Sequence, residues 1–121
     1  MKHKTTIMIA EDEILIALNL EQDLIDRGYK VYNKICTGED VVQSAQDKKP
    51  DIIIMDIRLA GKMDGIEAAK KILSFYHPAI IFMTGYGNEE LKNRATSLNP
   101  LAFFMKPINM NKLQSAINSV M

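Results

Sequence analysis

The sequence predicts an α/β fold in which a parallel sheet of the doubly wound type carries helices on both faces. Two observations carry the prediction, and one general rule narrows it. Short apolar runs alternate with segments of helical spacing along the whole chain. Two of the runs, Ile52 to Met55 and Ile80 to Met83, are apolar at every position, as strands covered on both faces are. Right-handed crossovers between parallel strands then restrict the connectivity to a few orders.

Taken in order, the first strand is Ile7 to Ala10. The helix after it is expected over about Glu13 to Arg27, with Leu15, Leu18 and Ile25 near one face and Gly28 placed to end it in a left-handed conformation. Val31 to Cys36 reads as the second strand, and Thr37-Gly38-Glu39-Asp40 offers a Ser/Thr-x-x-acid cap for a helix ending near Lys48-Lys49, ahead of Pro50. Ile52 to Met55 is the third strand. Ile66, Ala69 and Leu73 recur at helical spacing after Asp64-Gly65. Ile80 to Met83 is the fourth strand, and Leu91, Ala95 and Leu98 mark a fourth helix before Asn99-Pro100. Leu101 to Met105 is the fifth strand, and Met110, Leu113, Ile117 and Val120 form a helical stripe to the end of the chain.

A length of 121 residues fits a single domain, 1–121. Hydrophobic residues at 47% and charged ones at 25% match a globular protein with an ordinary core. Lys plus Arg and Asp plus Glu both total 15, so no net field draws the chain to nucleic acid or to an anionic membrane, and direct DNA binding is disfavoured. Cys36 is the single cysteine, which rules out an internal disulfide and a cysteine-rich zinc site, and a reducing cytoplasm is the simplest setting. Glu11, Asp12 and Glu13 interrupt the apolar stretch behind Met1-Lys2-His3-Lys4, so export is not expected. His3 and His77 read as ordinary surface residues, and the eight methionines as flexible core filler.

The chemistry sits where the strands end. The first run leads into Glu11-Asp12, the third into Asp56, the fourth into Thr84 and the fifth into Lys106-Pro107. Parallel strands bring those ends to one sheet edge, where open α/β proteins form their crevice. Asp56, after the most apolar strand, is the candidate nucleophile, since a carboxylate there can attack phosphorus and form an acyl phosphate. Glu11 and Asp12 suit a divalent cation such as Mg²⁺, which takes one or two carboxylates and uses phosphate oxygens. Crowded acids repel one another unless a cation is bound. Thr84 offers a hydroxyl to a phosphoryl oxygen beside the small Gly85, Lys106 a mobile positive charge, and Pro107 can hold a cis peptide that aims it. Each residue alone has a plainer reading: Asp56 as a strand cap, Asp12 and Glu13 as partners of a helix dipole, Thr84 as a β-branched strand end, and Lys106 as a solvated lysine.

Together, Glu11-Asp12, Ile54-Met55-Asp56, Met63-Asp64-Gly65, Thr84-Gly85 and Lys106-Pro107 resemble the receiver domain of two-component response regulators, the chemotaxis-regulator-like, flavodoxin-like fold, from about Thr6 to Val120. The resemblance implies one five-stranded sheet in order 2-1-3-4-5 with five helices on both faces. It implies that Asp56 accepts a phosphoryl group from a histidine kinase, a phosphotransfer protein or a small phosphodonor. Mg²⁺ would be held by Asp12, Asp56 and the backbone carbonyl of Arg58, with Glu11 acting mainly through a metal-bound water. Thr84 and Lys106 would bind the phosphoryl oxygens. Phe103 stands at the switch aromatic position, a plain core ring being the alternative. Thr84, Phe103 and Pro107 would relay the change to the surface of helix four, strand five and helix five, for a downstream protein or a homodimer.

The loop from Ile57 to Gly65 departs from the family pattern. Many members have proline where Ala60 stands and one residue fewer before Met63-Asp64-Gly65. Arg58 and Tyr86 flank the expected route of the attacking water, and their bulk is expected to slow loss of the phosphoryl group. Such a protein catalyses only its own phosphorylation and dephosphorylation. Two other readings are a magnesium phosphohydrolase, disfavoured because Arg58 replaces the expected second acid, and a degenerate receiver or flavodoxin-like binding module, disfavoured because all the expected site residues are present.

Overall fold

The computed structural model describes residues 4–35, 37–85 and 87–121. His3, Cys36 and Tyr86 lie outside the described residues, and so do the expectations attached to them. The order of elements is β1 (Thr6–Ala10), α1 (Ile14–Asp26), β2 (Lys30–Ile35), α2 (Gly38–Lys48), β3 (Ile52–Asp56), α3 (Gly65–Ile72), β4 (Ala79–Thr84), α4 (Glu89–Thr96), β5 (Ala102–Met105) and α5 (Met110–Asn118). The strands form one sheet in the order β2-β1-β3-β4-β5, and every neighbouring pair is parallel. The expected doubly wound order is present.

Alternation along the strands divides the core in two. Ile7, Ile9, Ile52, Ile54, Ile81 and Met83 pack with Ala17, Leu20 and Leu24 of α1 and Leu113 and Ile117 of α5. Met8, Ala10, Ile53, Met55, Ile80 and Phe82 face the other way, against α2, α3 and Ala95 of α4. Every residue of β1 and β3 is buried, so the strands that present the acids are held from both sides. At the opposite edge, Thr6 N and Oγ1 donate to Asp51 Oδ2 at 2.9 and 3.0 Å, and Asp51 N donates to Thr6 Oγ1 at 3.0 Å. That reciprocal tie pins β1 against the start of β3.

Helix boundaries follow local chemistry. Thr37 accepts from Asp40 N at the start of α2, Asp64 and Glu67 form a capping box at α3, and Asn88 and Asn109 cap α4 and α5. Gly28 has a φ of 95° after α1, while Lys49 and Asn99, each ahead of a proline, take φ of 46° and 53°. The Lys106–Pro107 peptide is cis. Among the described residues no helix is long and apolar enough to cross a membrane.

Two expectations are corrected. Leu15, Leu18 and Ile25 do not face the sheet; they are 76%, 43% and 47% exposed, and the buried stripe is Ala17, Leu20 and Leu24. α1 carries two apolar stripes, and periodicity alone cannot choose between them; the small Ala17 permits close approach to the sheet. At the other end, α5 stops at Asn118 and Val120 lies beyond it, 50% exposed, so the stripe continues past the helix without being buried. Leu24→Ala is therefore expected to cost about 2 to 5 kcal/mol, whereas Leu15→Ala stays within about 0.5 kcal/mol. Urea unfolding of both variants checks this, and equal losses would restore the predicted orientation.

Candidate functional site

The sheet places each predicted residue at one edge. Asp56 and Thr84 are the last residues of β3 and β4, Glu11 and Asp12 follow β1, and Lys106 follows β5. Glu11 and Asp56 are only 1% and 3% exposed, so both carboxylates are largely out of water, while Asp12 is exposed. Lys106 Nζ lies 2.5 Å from Glu11 Oε1, 2.8 Å from Asp56 Oδ2 and 3.8 Å from Glu13 Oε1. One oxygen each from Glu11, Asp12 and Asp56 all fall within 4.8 Å of one another. A single ammonium thus faces a group of acids it cannot neutralise.

The titration of the pair reflects this crowding. Burial is the main cause pushing Glu11 up from 4.5 to about 8, followed by its contact with Asp56, while Lys106 pulls the other way. For Lys106 burial acts downward, but the hydrogen bonds and charges of Asp56 and Glu11 outweigh it and raise the ammonium above its ordinary 10.5. Glu11 Oε2 is buried and has no hydrogen-bond partner among the described residues. An orphaned carboxylate oxygen is costly. Hard oxygen donors, excess negative charge and an unsatisfied acceptor together fit a divalent cation of the Mg²⁺ kind.

The backbone around Asp56 is closely shaped. Arg58 N donates to Asp56 Oδ1 at 3.0 Å, so both oxygens of Asp56 have partners. Ile57 N donates to Met83 O at 3.0 Å, and Lys106 N to Thr84 O at 2.8 Å, which ties the ends of β3, β4 and β5 together. A Cβ on Gly65 would collide with the carbonyl oxygen of Asp56; glycine is required there so that α3 can begin against the backbone of Asp56. Asp64 caps α3 by accepting from Glu67 N at 2.8 Å and also pairs with Arg94 of α4 at 3.1 Å. Thr84 is fully buried, whereas a Cβ on Gly85 would meet only Lys106 Cδ at 3.9 Å, leaving room for an anion beside that backbone.

Phe103 stands opposite Phe82 in the sheet register and is partly buried in the cluster that includes Leu91 and Ala95 of α4. Pro107 is exposed. Arg58 is exposed as well, and His77 lines a surface pocket at the far edge of the sheet, away from the acids. Sequence reasoning read Glu13 only as a helix-dipole partner. The structure sets it beside Lys106 and on the rim of a cavity of about 490 Å³, floored by Leu20, Met83 and Ile108 between α1 and α5. Its adjacency to Glu11-Asp12 was the available signal, but only the position of Lys106 gives it meaning.

This acidic edge, on the strand order β2-β1-β3-β4-β5, is a group of carboxylates and one lysine that could hold a metal ion. The family model described as "Response regulator receiver domain" matches residues 7–118. The transcriptional regulatory protein PdtaR of Mycobacterium tuberculosis is 34% identical over 111 residues, covering 92% of this chain and 54% of that protein; the chain thus spans about half the length of that relative. The chemotaxis protein CheY of Treponema pallidum is 31% identical over 118 residues, covering 95% of this chain and 81% of that protein. Among solved structures, the signal receiver domain of a modulated diguanylate cyclase from Desulfovibrio desulfuricans G20 superposes with a TM-score of 0.90 at 33% identity, covering 97% of this chain and 93% of that one. The chain belongs to the response regulator receiver family of two-component systems.

The raised carboxyl of Glu11 has a consequence for stability. A group whose folded pKa stands above its unfolded value binds its proton more tightly when folded, so the stability it contributes is present below 4.5 and is lost as pH rises through about 8. Between about pH 6 and 8 the metal-free protein is expected to lose stability relative to Glu11→Gln, and saturating Mg²⁺ to remove that slope. Denaturant unfolding at a series of pH values reads it; parallel curves for the two proteins would contradict the assignment.

Proposed function

We propose that this chain is the phosphoacceptor of a two-component relay and that Asp56 carries the phosphoryl group. The observation that carries the reading is the buried Asp56 carboxylate, bonded to Lys106 Nζ at 2.8 Å within an under-neutralised acidic cluster. An Asp56 oxygen attacks phosphorus, a phosphorus–oxygen bond forms, and the phosphorus–nitrogen bond of a donor phosphohistidine breaks, the imidazole leaving as the neutral ring on taking a proton. Glu11, Asp12, Asp56 and the Arg58 carbonyl would hold Mg²⁺, Glu11 mainly through a water. When bound, that ion neutralises charge on the transferring phosphoryl group.

The chain's own residues supply the rest. Lys106 shifts from Asp56 Oδ2 to a phosphoryl oxygen, and the Thr84 hydroxyl binds another. The added charge draws β4 and β5 ends together and biases the neighbouring elements. α4 buries only Ala95 completely, so it is lightly held and suited to move, and Phe103 lies directly in its packing cluster. The output is then the α4-β5-α5 surface, presented to a downstream protein or to a second copy, with no direct contact to nucleic acid. Exposed Ile14, Leu15 and Leu18 flank the acids and support a protein phosphodonor, a histidine kinase or phosphotransfer protein, in the cytoplasm. The chain catalyses only its own phosphorylation and the hydrolysis that reverses it.

Incubation with acetyl phosphate and Mg²⁺ is expected to add one phosphoryl mass to the intact wild type and none to Asp56→Asn. Failure of the wild type to gain mass would sink the reading. Arg58→Ala, which removes bulk from the route of the attacking water, is expected to shorten the life of the adduct; an unchanged decay rate would remove Arg58 from that role.

A further inference from the structure

The loop from Ile57 to Gly65 carries the backbone beside Asp56, and it is restrained from two directions. At its base Gly65 N donates to Ile57 O at 2.8 Å, and Arg58 N to Asp56 Oδ1 at 3.0 Å. At its tip it is held by the N-terminus of α2. Glu39 Oε1 accepts from Lys62 N and from Met63 N, each at 3.0 Å, and Thr37 forms an isolated parallel bridge with Ala60. Gly61 between these contacts has a φ of 93°, and a Cβ there would sit 2.6 Å from Glu39 Oε2. The backbone turn demands glycine at that position, and a side chain there would also have to displace the Glu39 carboxylate.

Two successive amides on one ionised oxygen make a charge-assisted clamp. Hydrogen bonds from Glu39's own amide, and then from Lys62 and Met63, hold its carboxyl below the ordinary range in spite of some desolvation. The loop needs such a restraint. Ala60 leaves free a φ angle that proline would set, and each unrestrained residue keeps conformational entropy that ordering must overcome. Arg58 lies between the base of the loop and the clamp, and its carbonyl is the one backbone ligand in the proposed cation site.

We propose that Glu39 is a positioning residue for the cation site: by clamping Lys62 and Met63 it fixes the loop after β3 and so holds the Arg58 carbonyl in place beside Asp56. This rests on the reading of the acidic edge as a Mg²⁺ site. Glu39 touches neither the ion nor the phosphoryl group and acts through backbone alone.

The test is calorimetric titration of Mg²⁺ into the full chain as wild type, Glu39→Ala and Glu39→Gln, with amide hydrogen exchange at Lys62 and Met63 on the same samples. Glu39 is exposed, so neither substitution removes core. Glu39→Ala is expected to weaken Mg²⁺ binding about tenfold, at the low end of losses for groups that support ligands, and to speed exchange at both amides. Glu39→Gln, which keeps an acceptor oxygen at the same reach, is expected to stay within about threefold of wild type. Unchanged Mg²⁺ affinity in Glu39→Ala overturns the proposal, whether or not the amides exchange faster, and so does a wild type that binds no Mg²⁺. If Glu39→Ala weakens the ion but the wild type accepts no phosphoryl group from acetyl phosphate, the phosphoacceptor reading falls and the positioning role stands.

Discussion

The rest of the structure depends on a shortage of positive charge at one edge of a parallel sheet. Glu11 and Asp56 are almost fully buried, Asp12 is within ligand distance of both, and Lys106 bridges the first two while also standing near Glu13. Isolated from water, carboxylates at such spacing cannot all remain charged without help. The apolar strands beneath them supply the constraint that keeps them together: β1 and β3 are buried at every residue, so the acids cannot relax apart without unpacking both halves of the core. A site held in this way favours whatever brings positive charge, a divalent cation above all.

From that edge, physical connections lead outward to α3, α4 and β5. Gly65 seats α3 against the Asp56 backbone, Asp64 caps α3, and Arg94 reaches from α4 to the same Asp64 carboxylate at 3.1 Å. An exposed pair of this kind is worth little in stability. Its interest is geometric, because it joins α3, which begins against the Asp56 backbone, to α4, which among the described residues buries only Ala95. Phe103 adds an apolar connection from β5 to the same helix through the cluster shared with Leu91 and Ala95. These contacts give α4 two attachments, one polar to Asp64 and one apolar to Phe103.

Much of this was legible in the sequence, and the reasons are specific. Ile52 to Met55 and Ile80 to Met83 are apolar at every position, a pattern expected of doubly covered strands, and the polar residue after each run marks the sheet edge. Helix caps at Thr37, Asp64 and Gly28 are local chemistry and were equally readable. The inward face of α1 was not, since Leu15, Leu18 and Ile25 compete with Ala17, Leu20 and Leu24 and only the sheet decides between them. Val120 continues a stripe that the sheet no longer meets. Glu39 and Glu13 escaped for a different reason. Their partners, the amides of Lys62 and Met63 and the ammonium of Lys106, are distant in sequence, and acids near helix starts read first as dipole partners.

The central claim is that the acidic edge is a cation site under strain from its own charge. The most direct test is an anomalous diffraction map from crystals of the wild-type protein soaked in Mn²⁺, which takes the same oxygen ligands as Mg²⁺. The account predicts one strong peak among Glu11, Asp12 and Asp56, adjacent to the Arg58 carbonyl. A map with no peak there, or with Mn²⁺ bound only at other surface acids, would contradict it.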